Sequence, residues 1–217
     1  MNTVAVVTAK RFTAAKQRLS GAVPEERRLA LVEAMLGDVL EAVTAARQVT
    51  FTIVITGEAA AVNLAAGLGA EVIHDPDDAG HIGAAKLGIA RALELRADAV
   101  ILLPGDCPLL EPREIDSLVT GLPDPFVAVV PDRHGTGTNS LAMRPPDAIE
   151  PSFGEGSCAR HLDLARSAEV PHATERVDGL ALDMDTPADI VALTTKIEMA
   201  RAAGGNPAPR TAAVLGI

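Results

Sequence analysis

Short apolar runs and longer periodic segments alternate along the first half of the chain. The apolar runs are rich in β-branched residues, have the length of strands and lie at 3–8, 50–56, 70–74 and 97–103. The segments between them carry apolar residues at helical spacing and lie at 25–47, 59–68 and 82–95. Continuous apolar strands that alternate with helices are typical of a mostly parallel sheet covered by helices on both faces.

The pattern is less regular after residue 110, but it still predicts elements of both types. Helices are expected at 112–120, 156–167 and 186–202, and strands at 126–131, 138–143, 169–174 and 180–182. No internal repeat or low-complexity linker interrupts the chain, so one Rossmann-like α/β domain is expected over residues 1–203. The remaining segment, 204–217, has no periodicity and is predicted to be a mobile tail.

Composition fits a sizeable aliphatic core and narrows the choice of partners. Of the 217 residues 48% are hydrophobic but only 2% are aromatic, so the core must consist of Ala, Val, Leu and Ile. The net charge of −10 disfavours nucleic acid and anionic membranes as partners. A polyanionic substrate would therefore need lysine, arginine or metal ions close to it.

Cysteine usage and the first residues of the chain indicate the cytoplasm. Cys107 and Cys158 are far apart and form no CxxC motif, so both are interpreted as packing residues. The segment MNTVAVVTAKRF has too short an apolar run for a signal peptide, and no stretch approaches the roughly 20 apolar residues of a membrane span. We therefore expect a cytoplasmic protein.

Three aspartates are candidates for a metal site. Asp106 follows the strand at 97–103, and in open α/β sheets ligands bind beyond the carboxyl ends of the strands. Asp183 and Asp185 have the spacing that places two side chains on one side of an extended chain. Oxygen ligands of this kind suit Mg²⁺ or Mn²⁺. The alternative is that these aspartates cap turns or helices, but Thr186 can take the helix-capping role.

A basic loop follows the first strand and is expected at the same sheet edge as Asp106. It contains Lys10, Lys16 and Arg18, which could hold a triphosphate and a leaving pyrophosphate. The alternative is a solvated basic loop, and the absence of a GxxxxGK[ST] motif excludes a P-loop. Together with a Mg²⁺ site, the loop favours phosphoryl or nucleotidyl transfer, because cations neutralise charge on the reacting phosphates.

Two glycine-containing turns are candidates for binding a small anion. One, DRHGTGTN, leads into a strand that begins with Thr138, and the other, SFGEGSCARH, contains Gly154 and Ser157. Ser157 is a suitable N-cap, a helix N-terminus attracts anions, and Arg160 and His161 could add positive charge there. The alternative is that both turns are only structural. No role is predicted for three other histidines, His74, His81 and His172.

Taken in order, five segments resemble the guanylyltransferase family of coenzyme F-420 biosynthesis: KRFTAAKQRLS, PGDCPLL, DRHGTGTN, SFGEGSCARH and LDMDTPADI. The resemblance covers about residues 3–193, and GTGTN followed by FGxGSxxRH is its most specific part. It implies a nucleotide-diphospho-sugar-transferase-like fold. It also implies that GTP reacts with phosphoenolpyruvate or 2-phospho-L-lactate, that pyrophosphate is released, and that a partner transferase uses the product.

The same resemblance assigns roles to the candidate residues. The catalytic metal carboxylates are Asp106, Asp183 and Asp185; the acid-phosphate contacts are Thr138, Gly154 and Ser157; the nucleotide loop contributes Lys10, Lys16 and Arg18. The stretch AGHIGAA at 79–85 departs from the family pattern, because it lacks an Asn expected near the nucleotide.

The expected mechanism is in-line attack by the phosphate of the acid on the α-phosphorus of GTP. This nucleophile is already ionised, so positioning and electrostatic stabilisation suffice without a general base. One alternative is a transferase of the same fold that acts on a sugar phosphate, 3-phosphoglycerate or another cofactor precursor. Another is a regulatory nucleotide-binding domain, which would bind its ligand without turnover.

Overall fold

The computed structural model describes residues 1–75 and 80–217. The strands are β1 Thr3–Ala9, β2 Phe51–Thr56, β3 Glu71–His74, β4 Ala99–Pro104, β5 Phe126–Pro131, β6 Thr138–Arg144 and β7 His172–Thr174. The α-helices are α1 Glu25–Ala45, α2 Ala59–Gly67, α3 Gly80–Glu94, α4 Pro112–Val119, α5 Ser157–Ser167, α6 Pro187–Ala202 and α7 Pro209–Leu215. Short 3-10 helices span Gln17–Leu19 and Asp178–Leu180.

The strands form a seven-stranded sheet in the order β3-β2-β1-β4-β6-β5-β7. All pairings are parallel except those of β6, which runs antiparallel to β4 and β5. The mostly parallel α/β fold predicted from the sequence is therefore confirmed. Because β1 and β4 are adjacent and parallel, with Thr8 opposite Pro104, the loops that follow them emerge at the same sheet edge.

Helices cover both faces of the sheet and divide the aliphatic core in two. Within β1, Ala5 and Val7 face one core with α1, α2, α4, α6 and α7, while Val4 and Val6 face the other with α3 and α5. The alternation follows from the period of two in a strand. It explains why these strands read as continuous apolar runs, since both of their faces are buried. In the part of the chain described, no helix is long and apolar enough to cross a membrane.

Two strand predictions in the second half of the chain are corrected. Residues 180–182 do not form a strand, because the chain turns through the 3-10 helix at Asp178–Leu180 and packs against α4. The backbone N–H of Gly179 donates to Glu114 Oε1 (3.0 Å), and a Cβ at Gly179 would lie 2.6 Å from Leu110 Cα. The strand expected from residue 169 begins only at His172, since Glu169 adopts a φ of 57° after α5.

The C-terminal segment, which shows no periodicity in the sequence, contains helix α7. The N–H groups of Arg210 and Thr211 donate to the two carboxylate oxygens of Asp38 in α1, at 3.0 and 2.8 Å. Asp38 and Thr211 are both buried, and Ala212 packs into the core beside α1. The segment is thus attached to α1 through a carboxylate at a helix N-terminus, a favourable electrostatic arrangement.

Candidate active site

A cleft of about 630 Å³ opens at the carboxyl ends of β1 and β4. It is lined by all the carboxylates, acid-phosphate contacts and loop cations predicted from the sequence. These are Lys10, Lys16, Arg18, Asp106, Thr138, Gly154, Ser157, Asp183 and Asp185. The location agrees with the rule that ligands bind beyond the carboxyl ends of the strands in open α/β sheets.

Asp106 enters the cleft from a tight turn after β4. The turn packs directly on its neighbours, because a Cβ at Gly105 would lie only 2.9 Å from Leu36 Cδ1 and 3.2 Å from Thr8 O. The adjacent Cys107 is fully buried, and burial raises the pKa of its thiol, as expected of a packing residue. Cys158 is buried too, so the interpretation of both cysteines is confirmed.

Lys16 lies between two of the predicted metal carboxylates. Its Nζ bonds Asp106 Oδ2 and lies 2.7 Å from Asp185 Oδ1, and only 7% of the lysine side chain is exposed. Burial alone would lower the pKa of Lys16, but the charges and hydrogen bonds of the two aspartates outweigh it, so the pKa is raised. For Asp106, burial would raise the pKa, but the charge of Lys16 lowers it on balance. Both groups are therefore charged at neutral pH.

The loop that carries Lys16 is anchored to α1 by a buried arginine. Arg28 Nη1 donates to the carbonyl oxygens of Phe12 (3.2 Å) and Ala15 (2.5 Å). Lys16 itself adopts a left-handed conformation with φ 55°. Residues other than glycine rarely adopt this conformation, and the buried Arg28 holds the preceding loop residues in place. The position of Lys16 is therefore fixed by the fold.

Asp183 and Asp185 lie on an extended segment, as the sequence predicted. Leu182 and Met184, which alternate with them along the chain, are buried, so the two carboxylates project together into the cleft. Burial raises the pKa of Asp183, and the nearby charges of Asp106 and Asp185 raise it further. Lys16 pairs with Asp106 and Asp185 but makes no ion pair with Asp183 among those found in the described residues.

The carboxylate segment is held in place by α6 and β6. Asp189 Oδ2 accepts hydrogen bonds from the N–H of Asp185 (3.0 Å) and from the N–H (2.6 Å) and hydroxyl (2.9 Å) of Thr186. Asp189 also pairs with Arg133 in the β5–β6 turn. From β6, the Asn139 amide donates to Leu180 O at 2.6 Å. Asp189 and Thr186 thus occupy the start of α6, which leaves the carboxylates of Asp183 and Asp185 free of capping.

The donor set fits a hard divalent cation, although no metal cage is formed. Among residues 1–75 and 80–217, no three Asp, Glu, His or Cys side chains converge closely enough to hold an ion. In this arrangement the cation between Asp106 and Asp185 is the ammonium of Lys16. The residues that could hold Mg²⁺ or Mn²⁺ are Asp106, Asp183 and Asp185, and the charges of Asp106 and Asp185 contribute to the raised pKa of Asp183.

The opposite wall of the cleft consists of the two glycine-containing turns. Helix α5 begins at Ser157 with Gly156 as its N-cap, so the prediction of Ser157 as N-cap is wrong by one residue. Gly156 has no side chain to cap the helix, and the nearby Gly154 has a φ of 117°. The N–H of Cys158 donates to Thr136 O (3.1 Å), which joins this helix start to the β5–β6 turn. The wall therefore offers a hydroxyl, a glycine backbone and a helix N-terminus to an anion.

Arg160 and His161 are not among the residues that line the cleft, and His161 does not carry the positive charge expected of it. Arg160 donates to Ser152 Oγ (3.2 Å), Ser152 O (3.0 Å) and the Glu155 carbonyl, so it braces the turn from outside. His161 is fully buried, and burial, with a smaller contribution from the charge of Arg160, lowers its pKa to about 4. The ring is therefore neutral at physiological pH.

His81 lines the cleft, although no role is predicted for it from the sequence. It lies in the first turn of α3, lines the cleft near Phe153, and its charge helps to lower the pKa of Asp106 after the larger effects of burial and Lys16. The helix after a parallel strand begins at the carboxyl edge, so topology could have identified this position. The stretch at 79–85 that lacks the family's Asn includes this turn. Ala79, its first residue, lies outside the described residues.

The strand order, with helices on both faces of the sheet and a cleft at its carboxyl edge, defines a nucleotide-diphospho-sugar-transferase-like fold. Among solved structures, a protein assigned as a nucleotide-diphospho-sugar transferase from Desulfovibrio desulfuricans superposes with a TM-score of 0.72 at 17% identity, covering 90% of this chain and 88% of that one. A cytidylyltransferase from Leptospira borgpetersenii superposes with a TM-score of 0.61 at 13% identity, covering 92% and 87%. At these identities the likeness concerns the fold.

Sequence similarity gives the family. The family model described as "Guanylyl transferase CofC like" matches residues 3–201, and the chain belongs to this family of guanylyltransferases. A phosphoenolpyruvate guanylyltransferase of Conexibacter woesei is 43% identical, covering 93% of this chain and 91% of that protein. One from Sphaerobacter thermophilus is 44% identical, covering 88% and 91%. The enzyme is therefore a guanylyltransferase that joins a nucleotide to a phosphorylated acid.

Proposed function

We propose that the enzyme condenses GTP with phosphoenolpyruvate, releases pyrophosphate and forms the guanosine-diphospho acid as a step in coenzyme F-420 biosynthesis. The observation that carries the proposal is a single cleft with two different walls. Lys10, Lys16 and Arg18 lie on one wall, and Thr138 and the start of α5 lie on the other. One wall suits the triphosphate, and the other suits a small phosphorylated acid. Relatives at 43 and 44% identity carry the name of this activity.

The reaction needs no proton transfer from the protein. A phosphate oxygen of the acid attacks the α-phosphorus of GTP, and the bond from that phosphorus to the bridging oxygen of the β-phosphate breaks. Pyrophosphate leaves with the bonding electrons, so atoms and charge balance without an acid or a base. The protein must then position two anions and offset their repulsion, which is the role of the loop cations.

We propose Mg²⁺, or Mn²⁺ in its place, as the cofactor. Asp106, Asp183 and Asp185 would hold it, and it would neutralise charge on the reacting phosphates when bound. The donor chemistry of the three carboxylates supports this assignment, and so does the raised pKa of Asp183, which a bound cation would lower. Lys16 would then be available to the phosphates of the nucleotide. A cytoplasmic location and a partner transferase that consumes the product complete the proposal.

The test is pyrophosphate release from GTP, ATP and CTP with phosphoenolpyruvate, 2-phospho-L-lactate and 3-phospho-D-glycerate. We expect the highest kcat/KM with GTP and phosphoenolpyruvate, a product with the mass of guanosine-diphospho-enolpyruvate, and loss of turnover with a chelator. Equal turnover with all three nucleotides would remove the assignment of GTP. A sugar phosphate that outperforms all three acids would remove the assignment of the acid.

A second candidate acid is 3-phospho-D-glycerate. A relative named 3-phospho-D-glycerate guanylyltransferase, from Phenylobacterium zucineum, is 38% identical and covers 97% of this chain and 94% of that protein. The two acids share a phosphate and a carboxylate, but only the glycerate has a free hydroxyl. The same assay separates them, because a site built to bind that hydroxyl would reject phosphoenolpyruvate strongly.

A further inference from the structure

The buried His161 makes two hydrogen bonds that together fix its protonation. Its Nε2 lies 2.8 Å from the backbone N of Ser152, and its Nδ1 lies 2.9 Å from Thr138 Oγ1. The ring has no exposed surface, and Phe153 packs edge-on against it at 5.2 Å between ring centroids. It therefore connects the turn before α5 with the first residue of β6.

The backbone N–H of Ser152 settles which nitrogen carries the proton. A backbone N–H can only donate, so Nε2 must accept and must be unprotonated. A neutral imidazole then carries its single hydrogen on Nδ1 and donates it to Thr138 Oγ1. Burial and the charge of Arg160 lower the pKa of His161 to about 4, which agrees with a neutral ring.

This tautomer constrains the hydroxyl of Thr138. One lone pair of Oγ1 accepts from His161, so the hydroxyl hydrogen must point elsewhere. Within the described residues, His161 is the hydrogen-bond partner of this hydroxyl, and Thr138 lines the cleft. The free hydrogen is thus available to a ligand in the cleft. Phosphate and carboxylate oxygens of a substrate are acceptors, and a hydrogen bond to an ionised acceptor is stronger than a neutral one.

We propose that His161 is a positioning residue, which holds the Thr138 hydroxyl as a hydrogen-bond donor to an anionic oxygen of the phosphorylated acid. The inference rests on the proposed function for the identity of the ligand. His161 acts through Thr138 and contributes no charge, so specificity at this wall comes from donor orientation. A hydroxyl free to rotate would present a lone pair to the anion part of the time, which would weaken binding.

Two substitutions of His161 separate its two hydrogen bonds. In His161→Asn the side-chain amide falls near the position of Nδ1 and can still donate to Thr138. In His161→Gln it falls near Nε2 and can still accept from Ser152, but the contact with Thr138 is lost. We expect KM for phosphoenolpyruvate to rise about tenfold or more in the Gln variant and at most about threefold in the Asn variant. KM for GTP should be unchanged in both.

A double-mutant cycle tests whether His161 acts through Thr138. Thr138→Val should raise KM for phosphoenolpyruvate about tenfold in the otherwise unchanged enzyme, but by less than about threefold in the His161→Gln background. Thr138→Ser keeps the hydroxyl, so its KM for phosphoenolpyruvate should be close to that of the wild type. Additive effects of Val and Gln, or equal effects of Asn and Gln, would overturn the proposal.

The tautomer can be measured without substrate. Nitrogen NMR of the imidazole in the wild-type protein should show a protonated Nδ1 and an unprotonated Nε2 throughout the neutral pH range. A protonated Nε2 would overturn the assignment, even if a substituted variant fails to fold. Conversely, a wild-type enzyme with the expected tautomer but no turnover of GTP with any phosphorylated acid would overturn the proposed function instead.

Discussion

On one side of the cleft the ammonium of Lys16 lies between Asp106 and Asp185, whereas on the other side the uncharged ring of His161 lies behind the hydroxyl of Thr138. We call these the charged side and the neutral side. Residues of the charged side are up to 169 positions apart in the chain, while His161 is 23 positions from Thr138. The charged side therefore depends on the whole fold, and the neutral side on one strand, one turn and one helix.

The difference indicates that the two sides of the cleft have different roles, one in the chemical step and the other in binding the acid. On the charged side, Lys16 pairs with carboxylates, and it could pair with substrate phosphates instead. Its ion pairs can therefore rearrange when a substrate binds. The neutral side has less freedom, since both ring nitrogens of His161 already have fixed partners. We therefore expect substitutions on the charged side to affect the chemical step, and those on the neutral side to affect binding of the acid.

The largest effect is expected for Asp183→Asn on the charged side. Turnover should fall by about two orders of magnitude or more, because a carboxylate assigned to the metal is lost. The thermal midpoint should be unchanged or raised, since the pKa of Asp183 is shifted upward by burial and by its neighbours, and a neutral side chain relieves that repulsion. Kinetics at several Mg²⁺ concentrations, with calorimetry, test both expectations.

Full activity of this variant at limiting Mg²⁺ would contradict the carboxylate assignment. Asp178→Asn provides a matched control, because Asp178 is an exposed aspartate in the preceding 3-10 helix. It changes the formal charge by the same amount outside the cleft lining, and its kinetics should match the wild type.

Lys16→Met should have the next largest effect and should lower both activity and stability. We expect kcat/KM for GTP to fall about 100-fold, because a charge-assisted contact to phosphate is lost. Unfolding should become easier by about 1–3 kcal/mol, because Asp106 and Asp185 then lose the ammonium that lies between them. Steady-state kinetics and denaturant unfolding measure the two effects separately.

Lys10→Met is the control for Lys16, since Lys10 also lines the cleft but is exposed. It should lower kcat/KM less than about tenfold and leave stability unchanged. If the two substitutions lower kcat/KM for GTP equally, the lysines attract the nucleotide only through their positive charge. The hydrogen bonds of Lys16 to Asp106 and Asp185 then have no special role in catalysis.

The sequence predicted the parts of this site that follow from topology. Apolar runs located β1 and β4, and the edge rule then brought Asp106 and the basic loop together. Partners chosen by three-dimensional packing could not be predicted in this way. Lys16 between Asp106 and Asp185, and Ser152 N–H on His161, depend on contacts that no local pattern encodes. Helix α7 escaped detection for the same reason, because its anchor is Asp38 in a distant helix.

On the neutral side, Gly154→Ala should weaken binding of the acid. A φ of 117° is a conformation that residues with a Cβ rarely adopt, so the variant should lose about 1–3 kcal/mol of stability or shift the turn. We expect KM for phosphoenolpyruvate to rise about tenfold with little change in KM for GTP. Gly121→Ala, with φ 70° at a site remote from the cleft lining, should cost stability without changing either KM.

The smallest effect is a pH dependence of stability that isolates His161. Its folded pKa of about 4 lies below the ordinary value of 6.5, so the unfolded chain takes up a proton first as the pH falls. The neutral ring therefore makes the wild type lose stability between pH 6.5 and 4, by up to about 1.4 kcal/mol for each pH unit. Above pH 6.5 the contribution of His161 to stability is constant.

The variant His161→Asn should lack this loss of stability between pH 6.5 and 4. The difference in unfolding free energy between the variant and the wild type, measured with denaturant, should therefore grow smaller toward pH 4. His74→Asn, at an exposed position, controls for the loss of a histidine as such. A difference between wild type and His161→Asn that stays constant across this range would mean that the ring is not held neutral, and the contrast between the two sides of the cleft would then fail.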